Sequence, residues 1–352
     1  MGTRDTMSDT PREPMMAWQF LRRHFVQFVF GAVLVVAAYI AIRIYATYLR
    51  EQRIARAIQS NRGGYFLFDY FGPDWIPQVV RDNIPILDRI REVHCTGLGM
   101  EQLKGLTNLE KLIVSEVSDA GLDHLKGLTS LTDLYIPCEQ LTDVGMKSVK
   151  GLTNLKKLSL SEVSDAGLEH LKGLTSLTDL YIQSEQLTDV GMKSLKGLTN
   201  LERLFLGGAQ VTDAGLESLN ELNNLKELVV QSEHITDAGL VHLKNLTDLK
   251  ELFLFGSLIT DAGLVHLKAL SNLEELYLDN SQVTDAGLEH LKVLTNLKKL
   301  HLVNTRITDA AVEHLVRLTN LESLDVEETQ ITAEGRSRLK KGFRNCFIEP
   351  YP

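Results

Sequence analysis

The segment TDAGLEHLK at 284–292 sets Asp285, His290 and Lys292 within nine positions. A carboxylate near an imidazole is the usual material of general acid–base catalysis, and a row of histidines is material for a metal site or a pH sensor. Yet six of the ten histidines, His124, His170, His242, His266, His290 and His314, recur in near-copies of this phrase: SDAGLDHLK at 118, SDAGLEHLK at 164, TDAGLVHLK at 236 and 260, TDAAVEHLV at 308. An active site is written once, so the repetition points to structure. Four of these histidines fall in consecutive copies and would stack on one face. No cysteine or carboxylate partners them at ligand spacing, which favours a half-exposed packing position multiplied by duplication over a metal site.

The three cysteines, Cys95, Cys138 and Cys346, are too far apart for a zinc site or a disulfide framework, and the near-copy of Cys138 is Ser184. Asn245-Leu246-Thr247 is a glycosylation triplet only because a recurring GLTNL has drifted. No nucleophile elbow, phosphate loop or unique carboxylate pair is present. The chain therefore reads as no enzyme, with no cofactor and no metal.

The elements that carry these residues form an array. Matching starts fall at Thr96, Ser118, Thr142, Ser164, Thr188, Thr212, Thr236, Thr260, Thr284, Thr308 and Thr332, spaced 22, 24, 22 and then 24 residues throughout. In LERLFLGGAQVTDAGLESLNELNN (201–224), Leu204 and Leu206 alternate around Phe205, the period-two pattern of a strand with one buried face. Val211 turns inward, and Thr212 offers its hydroxyl to the free N–H groups that open a helix. Asp213 complements the positive end of that helix. Leu216, Leu219 and Leu222 follow at threefold spacing on the side facing the sheet. Gly215 costs roughly 1 kcal/mol of helix propensity against Ala, which implies a close approach of this turn to its neighbour. No coil can bury its leucines alone, so neighbours must stack.

The pattern LxxLxLxxxxVTDAGLxxLxxL resembles the leucine-rich repeat family. Its T-D-A-G-L helix start looks most like the variety found in membrane-anchored bacterial repeat proteins and in F-box-associated repeats. The resemblance covers about residues 90–341 and implies an α/β fold: a leucine-rich repeat solenoid, a curved parallel sheet with helices on the convex side. One departure concerns the position that is Asn or Cys in the family's best-known consensus, here Ala209, Glu233, Ser257, Ser281, Thr305 or Thr329. A buried asparagine ladder at that position is not expected. Residues 105–150 and 151–196 are two 46-residue units identical at 39 positions, the product of an internal duplication, and each contains one shortened coil with a tighter turn after its strand.

Nothing structural dictates the outward strand position between the two buried residues of each coil. Along the array it reads Ile113, Tyr135, Ser159, Tyr181, Phe205, Val229, Phe253, Tyr277, His301 and Asp325. Strands lie about 4.8 Å apart, so these side chains form one stripe on the concave surface. Strand propensity favours aromatics there, but exposed aromatic stripes are also typical of interface cores. Phe255, Asp279 and Gln231 flank the stripe on one side, and Arg203, Glu227, Glu251, Glu275 and Lys299 on the other. The expected partner-binding residues are Tyr135, Tyr181, Phe205, Phe253, Phe255, Tyr277 and His301. Acids beside aromatics suit a protein or peptide ligand carrying basic groups.

Upstream of the array, residues 25–42 (FVQFVFGAVLVVAAYIAI) hold no charge, and a helix there runs roughly 27 Å. Trp18, Tyr45 and Tyr48 with Arg22, Arg23 and Arg43 supply interfacial anchors. The run is longer than a usual signal-peptide core, so an uncleaved anchor is the better reading. The expected organisation is an N-terminal tail (1–24), a single transmembrane helix (25–46), a helical neck (47–64), an N-terminal cap (65–97), leucine-rich repeats (98–341) and a C-terminal cap (342–352). Flanking arginines lean toward a cytoplasmic array, while long C-terminal domains translocate with little regard to charge, so both orientations stay open. Residues 1–97 carry twelve Arg, no Lys and nine acids, which leaves the remainder with 25 basic and 37 acidic side chains, net −12. That balance argues against nucleic acid as ligand. The expected function is a membrane-anchored protein-binding scaffold. A substrate receptor of a ubiquitin-ligase-type complex is the alternative, but the space for a helical adaptor-binding module is taken by the anchor and cap.

Overall fold

The computed structural model describes residues 42, 45, 46, 49, 65–70, 88–137, 141–343 and 345–348. The chain divides into two compact units, residues 1–53 with 69–89 and residues 54–68 with 90–352, and the coils belong to the second. Most of the expected anchor at 25–46, most of the neck at 47–64 and residues 71–87 of the expected cap lie outside the described residues. Among the described residues, no helix is long and apolar enough to cross a membrane.

The first strand, β1 (Tyr65–Tyr70), falls within the expected N-terminal cap and is followed by β2 (Asp88–Thr96), β3 (Lys111–Ser115), β4 (Asp133–Ile136) and β5 (Lys157–Ser161). Then come β6 (Asp179–Gln183), β7 (Arg203–Gly207), β8 (Glu227–Gln231), β9 (Glu251–Phe255), β10 (Glu275–Tyr277), β11 (Lys299–His301), β12 (Ser323–Asp325) and β13 (Phe347–Ile348). They form one sheet in chain order. Pairing from β2 to β13 is parallel and advances one coil per strand, so Leu204 meets Leu228 and Leu228 meets Leu252. The inward leucines are fully buried in a continuous core running from Ile90 to Ile348. This is the stacking solution required of units that cannot bury their own apolar faces.

The expected helices are shorter than the leucine spacing suggests. In the 212 coil, an α turn at Asp213–Leu216 passes into a 3-10 turn at Glu217–Leu219, and Leu222 is buried from the turn that follows. The Thr212 hydroxyl accepts the Ala214 N–H at 3.3 Å, as the capping pattern predicts. The aspartate does more than complement a helix dipole. Asp213 Oδ1 accepts the Thr236 N–H of the next coil at 2.8 Å, and Oδ2 accepts the Thr236 hydroxyl at 2.6 Å. The same staple joins Asp189 to Thr212, Asp237 to Thr260 and Asp261 to Thr284. It also explains the glycine, because a Cβ on Gly239 would lie 2.5 Å from Asp213 Oδ1. At 308, buried Ala311 replaces that glycine, and the coil opens on a 3-10 turn instead.

Two further ladders run along the stack. Asn224 Nδ2 donates to the Thr199 carbonyl at 2.9 Å and Asn272 to the Thr247 carbonyl at 2.9 Å, so an asparagine just before the leucine that leads into the strand ties its coil to the one before, a position held instead by Ser130, Ser176 and Asp248 in three other coils. At the family's consensus Asn position, Thr305 Oγ1 donates to the Leu302 carbonyl at 2.7 Å and Thr329 Oγ1 to the Val326 carbonyl at 2.7 Å, whereas the buried Ser281 hydroxyl makes no hydrogen bond among the described residues. In the 232 turn the buried residue is Ser232, not Glu233, and its hydroxyl reaches the Val211 carbonyl of the previous coil at 2.7 Å. In the turns of the shortened coils Glu116 and Glu162 sit at φ 51° and 52°, the same left-handed conformation that Asn304 and Glu328 adopt at 52° and 53° in full-length coils.

Candidate functional site

The strand register sets the outward residues in one line. Ile113 pairs with Tyr135, Tyr135 with Ser159, Ser159 with Tyr181, Tyr181 with Phe205, and Phe205 with Val229. Val229 pairs with Phe253, Phe253 with Tyr277, Tyr277 with His301 and His301 with Asp325. Every ring predicted from the sequence therefore lies in this line except Phe255, which sits two positions along β9 and 6.0 Å from the Phe253 ring. The rings are half-buried or exposed, with Tyr181 at 36%.

They do not form a single uninterrupted stack. Phe253 and Tyr277 stack with centroids 4.2 Å apart, and Tyr277 and His301 at 4.0 Å, which makes a three-ring block. Tyr181 and Phe205 form a looser pair at 6.3 Å. Val229 lies between the two groups and is buried. Tyr135 is paired with neither group, and Lys111 Nζ stands 5.9 Å from its ring centre. Neighbouring strands are close enough for offset ring stacking, which accounts for the block without a ligand.

Two positions back along the strands runs a charged row. From Glu92 to Arg203 it alternates in sign through Lys111, Asp133, Lys157 and Asp179, and cross-strand pairs neutralise it. Lys111 binds Glu92 at 2.9 Å, Lys157 approaches Asp133 at 4.0 Å, and Arg203 binds the buried Asp179. Alternation then fails. Glu227, Glu251 and Glu275 are direct neighbours. Glu275 is joined to Lys299 at 2.7 Å, whereas Glu227 and Glu251 make no contact ion pair among the described residues, Arg203 facing Glu227 across the strands and Lys299 acting on Glu251 only from a distance. Burial, and then the like charges of Glu275 and Glu227, hold the Glu251 carboxyl above the usual carboxylate range. On the other flank burial raises Asp279, opposed by the Val303 N–H that its Oδ1 accepts at 2.9 Å.

The same face carries a cavity of about 660 Å³ bounded by Tyr135, Ser159, Tyr181 and Phe205, with Asp179 and Arg203 on one side. The outward list contains Ser159, but the cavity above it is not legible from one residue's size. Asp179 was also missed as a structural acid. The available signal was the alternation of sign along the row at 22- and 24-residue intervals. On the convex side the repeated histidines are half-buried, and no three His, Cys, Asp or Glu side chains converge on a metal position among the described residues.

The family model described as Leucine Rich repeat matches residues 317–340. Among solved structures, an internalin (inlF) from Listeria monocytogenes is similar at 22% identity and a TM-score of 0.50, over 78% of this chain and 92% of that one. The ectodomain of the plant membrane receptor kinase GASSHO1/SCHENGEN3 from Arabidopsis thaliana, solved in complex with CASPARIAN STRIP INTEGRITY FACTOR 2, is similar at 17% identity and a TM-score of 0.50. That likeness covers 72% of this chain and 38% of the ectodomain. At these identities the likeness is one of fold. No curated protein matches the sequence.

Proposed function

From the leucine-rich repeat match at 317–340 and the likeness of fold, we propose that the chain is a membrane-anchored leucine-rich repeat scaffold holding a protein or peptide against the concave face of its sheet. The carrying observation is the line of half-exposed rings beside Glu227 and Glu251, which make no contact ion pair among the described residues. A sheet needs neither feature: exposed rings are costly in water, and like charges directly opposite one another destabilise a pair of strands. The ectodomain of similar fold was solved with a bound factor, which supports this use of the solenoid. The uncharged run at 25–42 supplies the anchor in this reading.

The test is capture by the full chain in detergent-solubilised membranes, with Phe253→Ala and Tyr277→Ala combined in one variant. Loss of about 2 kcal/mol, roughly thirtyfold in affinity, is expected for each interface ring removed. Undiminished capture by the double variant would remove the concave rings from the site.

A further inference from the structure

The line of rings is interrupted at Ser159, which stands directly between Tyr135 and Tyr181. Two strand spacings, roughly 9.6 Å, separate the tyrosines there. Elsewhere in the same line, rings on adjacent strands stack at 4.2 and 4.0 Å. One planar group therefore fits between Tyr135 and Tyr181 at the spacing this face already uses, and it would extend the run into Phe205. The cavity of about 660 Å³ opens at this level. Its charged walls are matched internally, Arg203 with Asp179 and Lys157 with Asp133, so the slot suits a neutral ring. In the sister unit the equivalent position is Ile113, and the other interruption, Val229, is itself buried. Only at Ser159 does the line combine a small residue with open space.

Farther along the sheet, Glu227 and Glu251 oppose each other on adjacent strands, with no cation in contact with either among the described residues. The midpoint of this pair is three and a half strand spacings from Ser159, roughly 17 Å, which an extended chain crosses in about five residues.

Resting on the reading that the concave face binds protein, we propose that its occupant is an extended segment with two anchors. An aromatic side chain enters the slot between Tyr135 and Tyr181, and an arginine or lysine about five residues away lies over Glu227 and Glu251. The ring supplies stacking on two faces, and the cation relieves the like-charge contact.

The test uses the full chain and synthetic peptides of Gly and Ser in which one Trp and one Arg are placed at every pair of positions. Binding should peak at a separation of about five residues. Ser159→Tyr, which continues the run of rings, should weaken the best peptide about tenfold, the worth of a good aromatic contact. It should leave the far-ultraviolet circular dichroism unchanged, because Ile113 shows that a larger side chain is accommodated at this place in the coil. Glu227→Gln with Glu251→Gln should abolish the preference for Arg over Gln in the peptide. Binding that ignores the separation, or that survives Ser159→Tyr undiminished, overturns the proposal. If such binding is still lost in Phe253→Ala/Tyr277→Ala, the concave-face reading stands without the two anchors. If it survives that variant as well, both fall.

Discussion

Gly239 and Asp213 belong to different coils yet form one device, because the carboxylate that clamps Thr236 occupies the space a Cβ on Gly239 would need. Asp213→Ala leaves the Thr236 N–H and hydroxyl without their acceptor and should cost about 1–3 kcal/mol in urea unfolding. Gly239→Ala should also destabilise, by about 1–3 kcal/mol of crowding, which outweighs the gain of roughly 1 kcal/mol in helix propensity. The double variant should lose less than the sum, since the clash disappears with the carboxylate. Strict additivity would show that the two residues act separately. The recurring T-D-A-G-L made the glycine legible as a close approach. What it approaches lies 26 positions back, and Asp213's partner 23 positions ahead, so a reading of one coil found only the local dipole. The buried hydroxyl at Ser232 slipped by one residue because the neighbouring turns pass through left-handed glycines, Gly208 at φ 68° and Gly256 at φ 71°, and the 232 turn does not.

At the scale of the strand, alternation of buried and outward residues made the ring line readable, and the parallel register then aligned it. The spaces between rings were not readable, because they depend on three coils at once. The Glu251 row carries a pH prediction. Burial and two acidic neighbours raise its folded carboxyl, so the folded state holds that proton more tightly than the unfolded chain does. The site therefore loses stability as pH climbs from the unfolded value through the folded one, and Glu251→Gln should flatten that decline in thermal unfolding. A bound cation reverses the sign for affinity. Binding of a basic segment should strengthen over the same window and release a proton, measured by calorimetry in buffers of different ionisation enthalpy. Proton uptake on binding would contradict it.

Across the whole array, each coil's sheet, staple and asparagine bonds reach only its neighbours. Such a stack opens from its ends. Amide exchange should be slowest around Arg203–Gly207 and Glu227–Gln231 and fastest toward Phe347–Ile348, where the last strand is two residues long and Phe347 is 58% exposed. Uniform protection along the array would instead mean all-or-none opening. The order of coils was legible because repetition dictates it, whereas the expected anchor at 25–46 falls mostly outside the described residues. The 46-residue blocks at 105–150 and 151–196 begin and end at the same point of a coil. Recombination can therefore splice another block in or out with matched seams. Every such event would slide the acidic pair past the first tyrosine by two strand spacings, roughly 9.6 Å. Selectivity could then be retuned in whole steps, with no point substitution anywhere in the face.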